Sequence, residues 1–180
     1  AAACLGTRRL QLLQDVLLVK PARQGGHIDW HQDHTYTGYL TPPRLLSIRI
    51  ALGVEDARHG GLRVLAGSHR WPIARTDGFG ALTLAADELA QVVREMGEQH
   101  VQNALRAVDL QPGDVSLHHC RTFHSSVDNQ ADTERLTLVA HAFDAVATLD
   151  RSRLPAGLTA RFPTDDAGHL EASQFPLLRQ

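Results

Sequence analysis

Apolar and polar residues alternate in short bursts along most of this chain, and a period of two residues predicts strands. The segment from Arg9 to Lys20 is rich in Leu and Val and reads as one or two short strands, ended by Pro21 and Gly25-Gly26. A further strand is expected from Ile28 to Tyr36, and Thr41-Pro42-Pro43 marks a turn. Alternation is clearest from Leu45 to Val54. There Leu46, Ile48, Ile50 and Leu52 take one face, while Ser47, Arg49 and Ala51 take the other. Asp56 to Gly61 reads as a turn and Leu62 to Leu65 as a short strand. The period changes between Ala85 and Met96, where Leu89, Val92 and Val93 share one side of a helix. Gln111-Pro112-Gly113-Asp114 makes a tight turn, followed by strands from Val115 to Cys120 and from Leu136 to Phe143. Beyond Ala145, Pro, Asp and Gly are frequent, and this tail is expected to wrap the outside. Many short strands with one intervening helix favour a mainly β, two-sheet antiparallel sandwich over a doubly wound α/β fold.

Composition narrows the function classes. A chain of 180 residues suffices for one domain with a substantial core. The formal charge of −2 gives no reason to expect a nucleic-acid partner. No apolar run approaches the ~18 residues of a membrane span. Cys4 and Cys120 make no disulfide framework, so a reducing cytoplasm is the expected compartment. Oligomeric state is left open.

The candidate chemistry lies in histidines. His31-Gln32-Asp33 near the front and His124 near the back supply two imidazoles and one carboxylate. Non-haem Fe(II) oxygenases use that donor set because it leaves one face of an octahedral metal open. On a strand, residues i and i+2 share a face, so His31 and Asp33 would reach one ion while Gln32 faces away. With 11 histidines in the chain, an isolated H-x-D is a weak signal, and the surrounding residues decide its weight.

Those surroundings are Trp30-His31-Gln32-Asp33-His34-Thr35-Tyr36, then Gly60-Gly61-Leu62-Arg63-Val64-Leu65-Ala66-Gly67-Ser68-His69, then Gly113-Asp114-Val115 leading to His124-Ser125-Ser126, Asn129 and Arg135. Together, from about residue 10 to about residue 145, they resemble the phytanoyl-CoA dioxygenase-like branch of the Fe(II)/2-oxoglutarate oxygenases. Ala66 stands where Pro is usual in that family. The resemblance implies a double-stranded β-helix, also called a jelly roll or cupin-like fold, with a few flanking helices. Residues 1–180 would form a single oxygenase domain lacking N-terminal helical residues that relatives carry.

The resemblance also implies roles. His31, Asp33 and His124 would hold Fe(II), with O2 and 2-oxoglutarate as cosubstrates and a small molecule as substrate. Arg135 would anchor the distal carboxylate of 2-oxoglutarate, since a guanidinium fork matches a carboxylate bidentately and stays charged when buried. The alternative for Arg135 is a surface pair with Asp132 or Glu134. Ser126 would add a hydrogen bond to the same carboxylate, or serve only as a turn hydroxyl. Lys20 and Tyr36 resemble positions that line the cosubstrate or substrate pocket. Arg49 departs from the pattern, because relatives often place Trp there. It either faces solvent or turns inward to a carboxylate of 2-oxoglutarate or substrate. His118 and His119 adjoin the site by sequence, and strand alternation lets only one face it. The expected reaction is hydroxylation of an aliphatic C–H with release of succinate and CO2. Asp33 argues against halogenation, since related halogenases carry Ala or Gly at that place. The rival readings are a non-enzymatic metal-binding cupin and a zinc hydrolase, and nothing in the sequence resembles the general base a zinc hydrolase needs.

Overall fold

A segment dense in Leu and Val produces β1 (Leu10–Lys20), one strand rather than two, with an irregularity in pairing between Leu12 and Gln14. The computed structural model describes residues 1–24, 26–72, 88–154 and 157–179. A short helix α1 (Ala2–Leu5) precedes β1. Then come β2 (Ile28–His31), α2 (His34–Thr37), β3 (Leu40–Thr41), β4 (Leu45–Ala51) and β5 (Leu62–Leu65). Helices α3 (Glu88–Met96) and α4 (Glu98–Ala104) lead to β6 (Leu105–Val108), β7 (Val115–His119), β8 (His124–Ser126) and β9 (Arg135–Asp144). The last strands are β10 (Thr148–Leu149) and β11 (Leu177–Arg179).

Two antiparallel sheets form the frame. The larger runs β11-β1-β9-β4-β7 and the smaller β2-β8-β5-β6, with β10 and β3 paired apart. The chain crosses repeatedly from one sheet to the other, and residues from both line one cavity between them. This is the curled sandwich expected of a double-stranded β-helix. Tyr39, Leu45, Cys120, Phe143, Leu170 and Phe175 fill one end. Leu65, Trp71 and Phe123 pack with Val92 and Val101 of the two long helices. Burying a side chain the size of Phe123 or Phe143 stabilises by roughly 1.5–3 kcal/mol.

Several expectations need correction. The strand expected from Ile28 to Tyr36 stops at His31, and Asp33 instead sits at the start of α2 with helical backbone angles (φ −57°, ψ −24°). The tail does not merely wrap the outside. Leu170 and Phe175 enter the core, and β11 becomes an edge strand of the larger sheet. The expected helix begins in the sequence at Ala85, but residues 85–87 lie outside the described residues, as does Gly25; α4 and β6 were not foreseen. On β4 the face carrying Ser47, Arg49 and Ala51 is the fully buried one. The Leu46 face is the outer one: Leu46 is covered by Ala2 and Leu5 of α1 and by Leu10, while Leu17, Leu52 and Val115 on the same side are about half exposed.

Candidate metal and cosubstrate site

Strand β2 delivers His31 and the turn after it swings Asp33 back towards β8, where His124 is the first residue; His31 and His124 are directly opposite in the β2–β8 pairing. Three ligand atoms, one from each residue, lie within 4.8 Å of one another. Asp33 Oδ1 is 3.6 Å from His124 Nε2 and 3.9 Å from His31 Nε2. Both rings are oriented by backbone. His31 Nδ1 donates to Asp29 O at 2.8 Å and His124 Nδ1 to Thr122 O at 2.9 Å. A neutral imidazole that donates from Nδ1 presents a lone pair at Nε2, the form a metal needs. Burial holds His124 well below the usual histidine pKa, against the pull of Asp33, and so favours that neutral form.

The other carboxylate oxygen is already occupied. Asp33 Oδ2 accepts from the Ser47 hydroxyl and from His118 Nε2 at 3.2 Å, with His141 Nε2 at 3.9 Å. Strand register explains the grouping, because Ser47 pairs with His118 on β7 and with His141 on β9. Gln14 Nε2 lies 3.2 Å from His141 Nδ1. If the amide donates there, His141 carries its proton on Nε2, facing Asp33. Burial alone would raise the Asp33 pKa, but His124, His118 and His141 hold it well below the carboxylate range. Oδ1 is thus the oxygen left for a metal.

Deeper in the cavity lies a cluster of cations. Arg135 is 1% exposed, donates to Gly60 O through Nη1, and has a buried Nε without a partner. Gly60 can offer that carbonyl because its positive φ of 71° and the 2.7 Å approach of Val127 O to any Cβ require glycine there. Burial, then the nearby Arg49 charge, lowers Arg135 to about 10, with Glu55 opposing. Lys20 lies directly across from Arg135 on β1 and donates to Ser126 Oγ at 2.8 Å. Burial first, and then Arg135, lowers Lys20 to about 8. Because Ser126 accepts from Lys20, its own hydrogen is free to donate into the cavity. Arg49 turns inward and pairs with the fully buried Glu55 at 3.0 Å, and Glu55 also accepts from Thr137. The Nε of Arg49 is likewise buried and unpaired.

Arg135 therefore makes no ion pair with Asp132 or Glu134, and Arg49 does not face solvent. His31, Asp33, His124, Ser126, Arg49 and Arg135 line one cavity of about 130 Å3, and Lys20 reaches it through Ser126. Tyr36 is not among its lining residues, and its ring meets His31 edge-on at 6.0 Å. Gln32, fully buried, donates to Arg121 O at 2.6 Å. Asn129 ties the loop before Arg135 to the end of β1, donating to Lys20 O and Thr133 O. Ser68 accepts from the Phe123 amide at 2.9 Å and so fixes the turn before His124. Sequence reasoning missed Ser47, His141 and Glu55. Alternation could have found the first two, since Ser47 shares a face with Arg49, and His141 with Arg135.

Residues 1–137 match the family model described as phytanoyl-CoA dioxygenase (PhyH). The chain belongs to the phytanoyl-CoA dioxygenase family. Phytanoyl-CoA dioxygenase 1 of Oryza sativa subsp. japonica is 23% identical over 137 residues, which are 76% of this chain and 46% of that protein. The chain thus spans about half the length of this curated relative. Among solved structures it resembles the non-heme alpha ketoglutarate dependent carbocyclase SnoK from nogalamycin biosynthesis, with a TM-score of 0.74, 27% identity, and coverage of 98% of this chain and 64% of that one. It also resembles the epimerase SnoN in complex with Fe3+, alpha ketoglutarate and nogalamycin RO, with a TM-score of 0.72, 25% identity, and coverage of 99% and 68%. Among the described residues no helix is long and apolar enough to cross a membrane.

Proposed function

We propose that this chain is an Fe(II)- and 2-oxoglutarate-dependent dioxygenase that hydroxylates an aliphatic C–H of a small molecule. One observation carries the reading. Two imidazoles with Nδ1 committed to backbone and a carboxylate with one free oxygen converge at one end of a cavity. Buried guanidinium groups with unpaired Nε atoms stand in the same cavity. The donor set suits iron and leaves coordination positions open. The cation cluster suits a dicarboxylate, because two arginines and a lysine are opposed by Glu55 and, at Lys20, by Asp128, which leaves positive charge in excess. The family match and the likeness to an enzyme solved with Fe3+ and alpha ketoglutarate support the same assignment.

His31, Asp33 and His124 would hold the metal. Iron and 2-oxoglutarate, once bound, supply the oxidising power, with O2 consumed and succinate and CO2 released. Arg135 binds and orients the far carboxylate bidentately, helped by the Ser126 hydroxyl, and Lys20 adds charge behind it. Arg49 sits between that carboxylate site and the metal end, two residues from Ser47 on β4, and lends a second guanidinium to the cosubstrate. Tyr36 steadies the His31 ring. Asp33 keeps a carboxylate on the metal, which favours hydroxylation over halogenation. A metal-binding cupin without activity would have no use for the buried cations. The two free thiols support a reducing, cytoplasmic setting. The test is anaerobic. Adding 2-oxoglutarate to the Fe(II) protein should produce a visible charge-transfer absorbance, and admitting O2 should release succinate. Absence of the absorbance, with folded protein and excess Fe(II), would refute the assignment.

A further inference from the structure

Strand β7 ends the larger sheet, so one of its two edges has no neighbouring strand. The register fixes which backbone groups that edge presents. The ladder with β4 closes through Cys120 N to Leu45 O at one end and Ala51 N to Asp114 O at the other. In an antiparallel pair, bonded positions alternate with unbonded ones. Ser116 and His118 therefore bond to β4, while the N–H and C=O of Val115 and Leu117 point the other way. Neither residue has a backbone partner on that side among the described residues. Their side chains lie on the outer face and are 53% and 40% exposed.

Folded proteins normally guard such an edge with charge, proline, a bulge or shortness. The other ends of the two main sheets show these devices: Asp29 stands on β2, Arg106 on β6, and β11 has only 3 residues. Strand β7 has 5 residues, none of them Asp, Glu, Lys, Arg or Pro, and pairs with β4 without a bulge. A second cavity of about 400 Å3 adjoins the same edge, with Val64, Val108, Ser116 and Leu117 in its lining and no Asp, Glu, Lys or Arg among the described residues. His118 lines both this cavity and the metal cavity. Asp114, the nearest acid in sequence, is turned back onto the Gln111 amide at 2.8 Å. The Ser116 hydroxyl is buried and has no partner.

We propose that the β7 edge pairs with the β7 edge of a second copy of this chain, antiparallel about a twofold axis at Ser116. The arrangement is self-complementary. Val115 of each copy stands opposite Leu117 of the other, and each such pair exchanges both of its N–H···O bonds. Ser116 meets its own copy as the unbonded pair at the axis, with Cα atoms about 4.5 Å apart, close enough for the two hydroxyls to satisfy one another. In a twofold contact a charge near the axis faces its own copy, and Val115, Ser116 and Leu117 carry none. The two larger sheets join into one, and each copy shields part of the other's Val115 and Leu117. An edge of this length buries less than the about 1,200 Å2 of a stable complex, so the dimer is weak, with a Kd on the order of 100 µM.

Sedimentation velocity of the chain with Mn(II) present, from about 5 µM to about 1 mM, should show the mass rising from one copy to two and no further, since that range brackets the expected affinity. At the top of the range, amide exchange at Val115 and Leu117 should slow about two- to fivefold relative to dilute protein, as the paired fraction grows. Leu117→Pro removes an outward N–H without touching the β4 ladder, and Val115→Lys sets a charge close to its own copy. Each should weaken the dimer at least about tenfold. Leu17→Lys, on the outer face of β1 away from this edge, should leave the dimer unchanged. Far-ultraviolet circular dichroism reports folding of each variant, and if Leu117→Pro does not fold, Val115→Lys decides. A single copy throughout the range, growth beyond two copies, or a dimer that persists in Val115→Lys overturns the proposal. So does a dimer lost in Leu17→Lys, which would place the contact on the outer face of the sheet.

Discussion

Removing one donor from Asp33 Oδ2 should loosen the metal without touching any ligand atom. The perturbation is His118→Phe, which keeps a ring of similar bulk between the cavities but deletes the Nε2–H that lies 3.2 Å from Asp33. Two donors hold that oxygen, Ser47 and His118, with His141 Nε2 at 3.9 Å, so loss of one leaves the carboxylate partly held. Partners of this kind that orient a metal ligand contribute about 10- to 100-fold in affinity, or about 1.4–2.8 kcal/mol. Mn(II) affinity measured by calorimetry at pH about 7.5, above the ordinary histidine range, should fall by that factor. Ser47→Ala should do the same. Because the two donors share one oxygen, the double variant should fall short of the sum or exceed it, giving a coupling of about 0.5–3 kcal/mol. His118→Gln can place an amide N–H where the imidazole N–H was, and should recover most of the loss. That rescue separates a hydrogen bond from mere packing, since Phe is the better volume match. If the Phe and Gln variants bind Mn(II) equally, or if both match the parent within about twofold, Oδ2 is not held by His118 in solution and the reasoning fails; the twofold limit is an estimate well below the second-shell range.

Arg135→Ala should lower 2-oxoglutarate affinity about 30- to several-thousand-fold while leaving affinity for 2-oxobutyrate, which lacks the far carboxylate, nearly unchanged; a parallel loss of both would place the anchor elsewhere. Glu55→Gln leaves Arg49 buried without its counter-charge and should cost about 3–5 kcal/mol in urea unfolding, and a cost below about 1 kcal/mol would mean that Arg49 relaxes to solvent. Stability of the metal-free protein should decline as pH falls below about 6.5. His119, His124 and His141 are lowered by burial in the folded state, so the unfolded chain takes up protons first and stability rises with pH through that window, down to about 4 for His119. The slope is about 1.4 kcal/mol per pH unit for each proton of difference, and unfolding midpoints that stay flat from pH 6.5 to 5 would contradict the buried, neutral histidines.

The mainly β sandwich and the convergence of His31, Asp33 and His124 were largely legible, for different reasons. Strand β1 announces itself by its density of Leu and Val and β9 by alternation, and both are local properties of about ten residues in a row. The triad was legible through three ordered motifs, not through strand geometry. The argument that His31 and Asp33 share a strand face was mistaken in its mechanism, since the chain leaves the strand at His31 and a helical turn at Asp33 returns the carboxylate. Glu55 was not legible at all. It lies in a turn, makes a bridge to Leu110, and its role as counter-charge to Arg49 exists only once β4 and that turn have folded together. The tail was misread because Pro, Asp and Gly mark turns but say nothing of Leu170 and Phe175 between them.

Strand β4 shows why a pattern of apolar and polar positions reports alternation but not direction. Its apolar face, with Leu46 under α1 and Ile48 and Ile50 half-buried, lies away from the cavity, and its polar face, Ser47 and Arg49, looks in. Burial of an arginine is ordinarily prohibitive, so the usual inference sends Arg49 to solvent. Three local facts reverse it. Glu55 supplies a fully buried carboxylate at 3.0 Å. Ser47 finds Asp33. Ala51, with only a methyl group, is fully buried on the same face. Asp33 comes from the turn after β2 and Glu55 from the segment that follows β4, so the inward polar face is stable only in the assembled sandwich. The same inversion is what equips the cavity. Had β4 turned its leucines and isoleucines inward, Asp33 would lose its hydroxyl donor and the cavity one of its guanidinium groups. The polar stripe on an inner strand, read together with a charged partner close after it in sequence, is therefore the feature that marks a polar cavity here rather than a plain core.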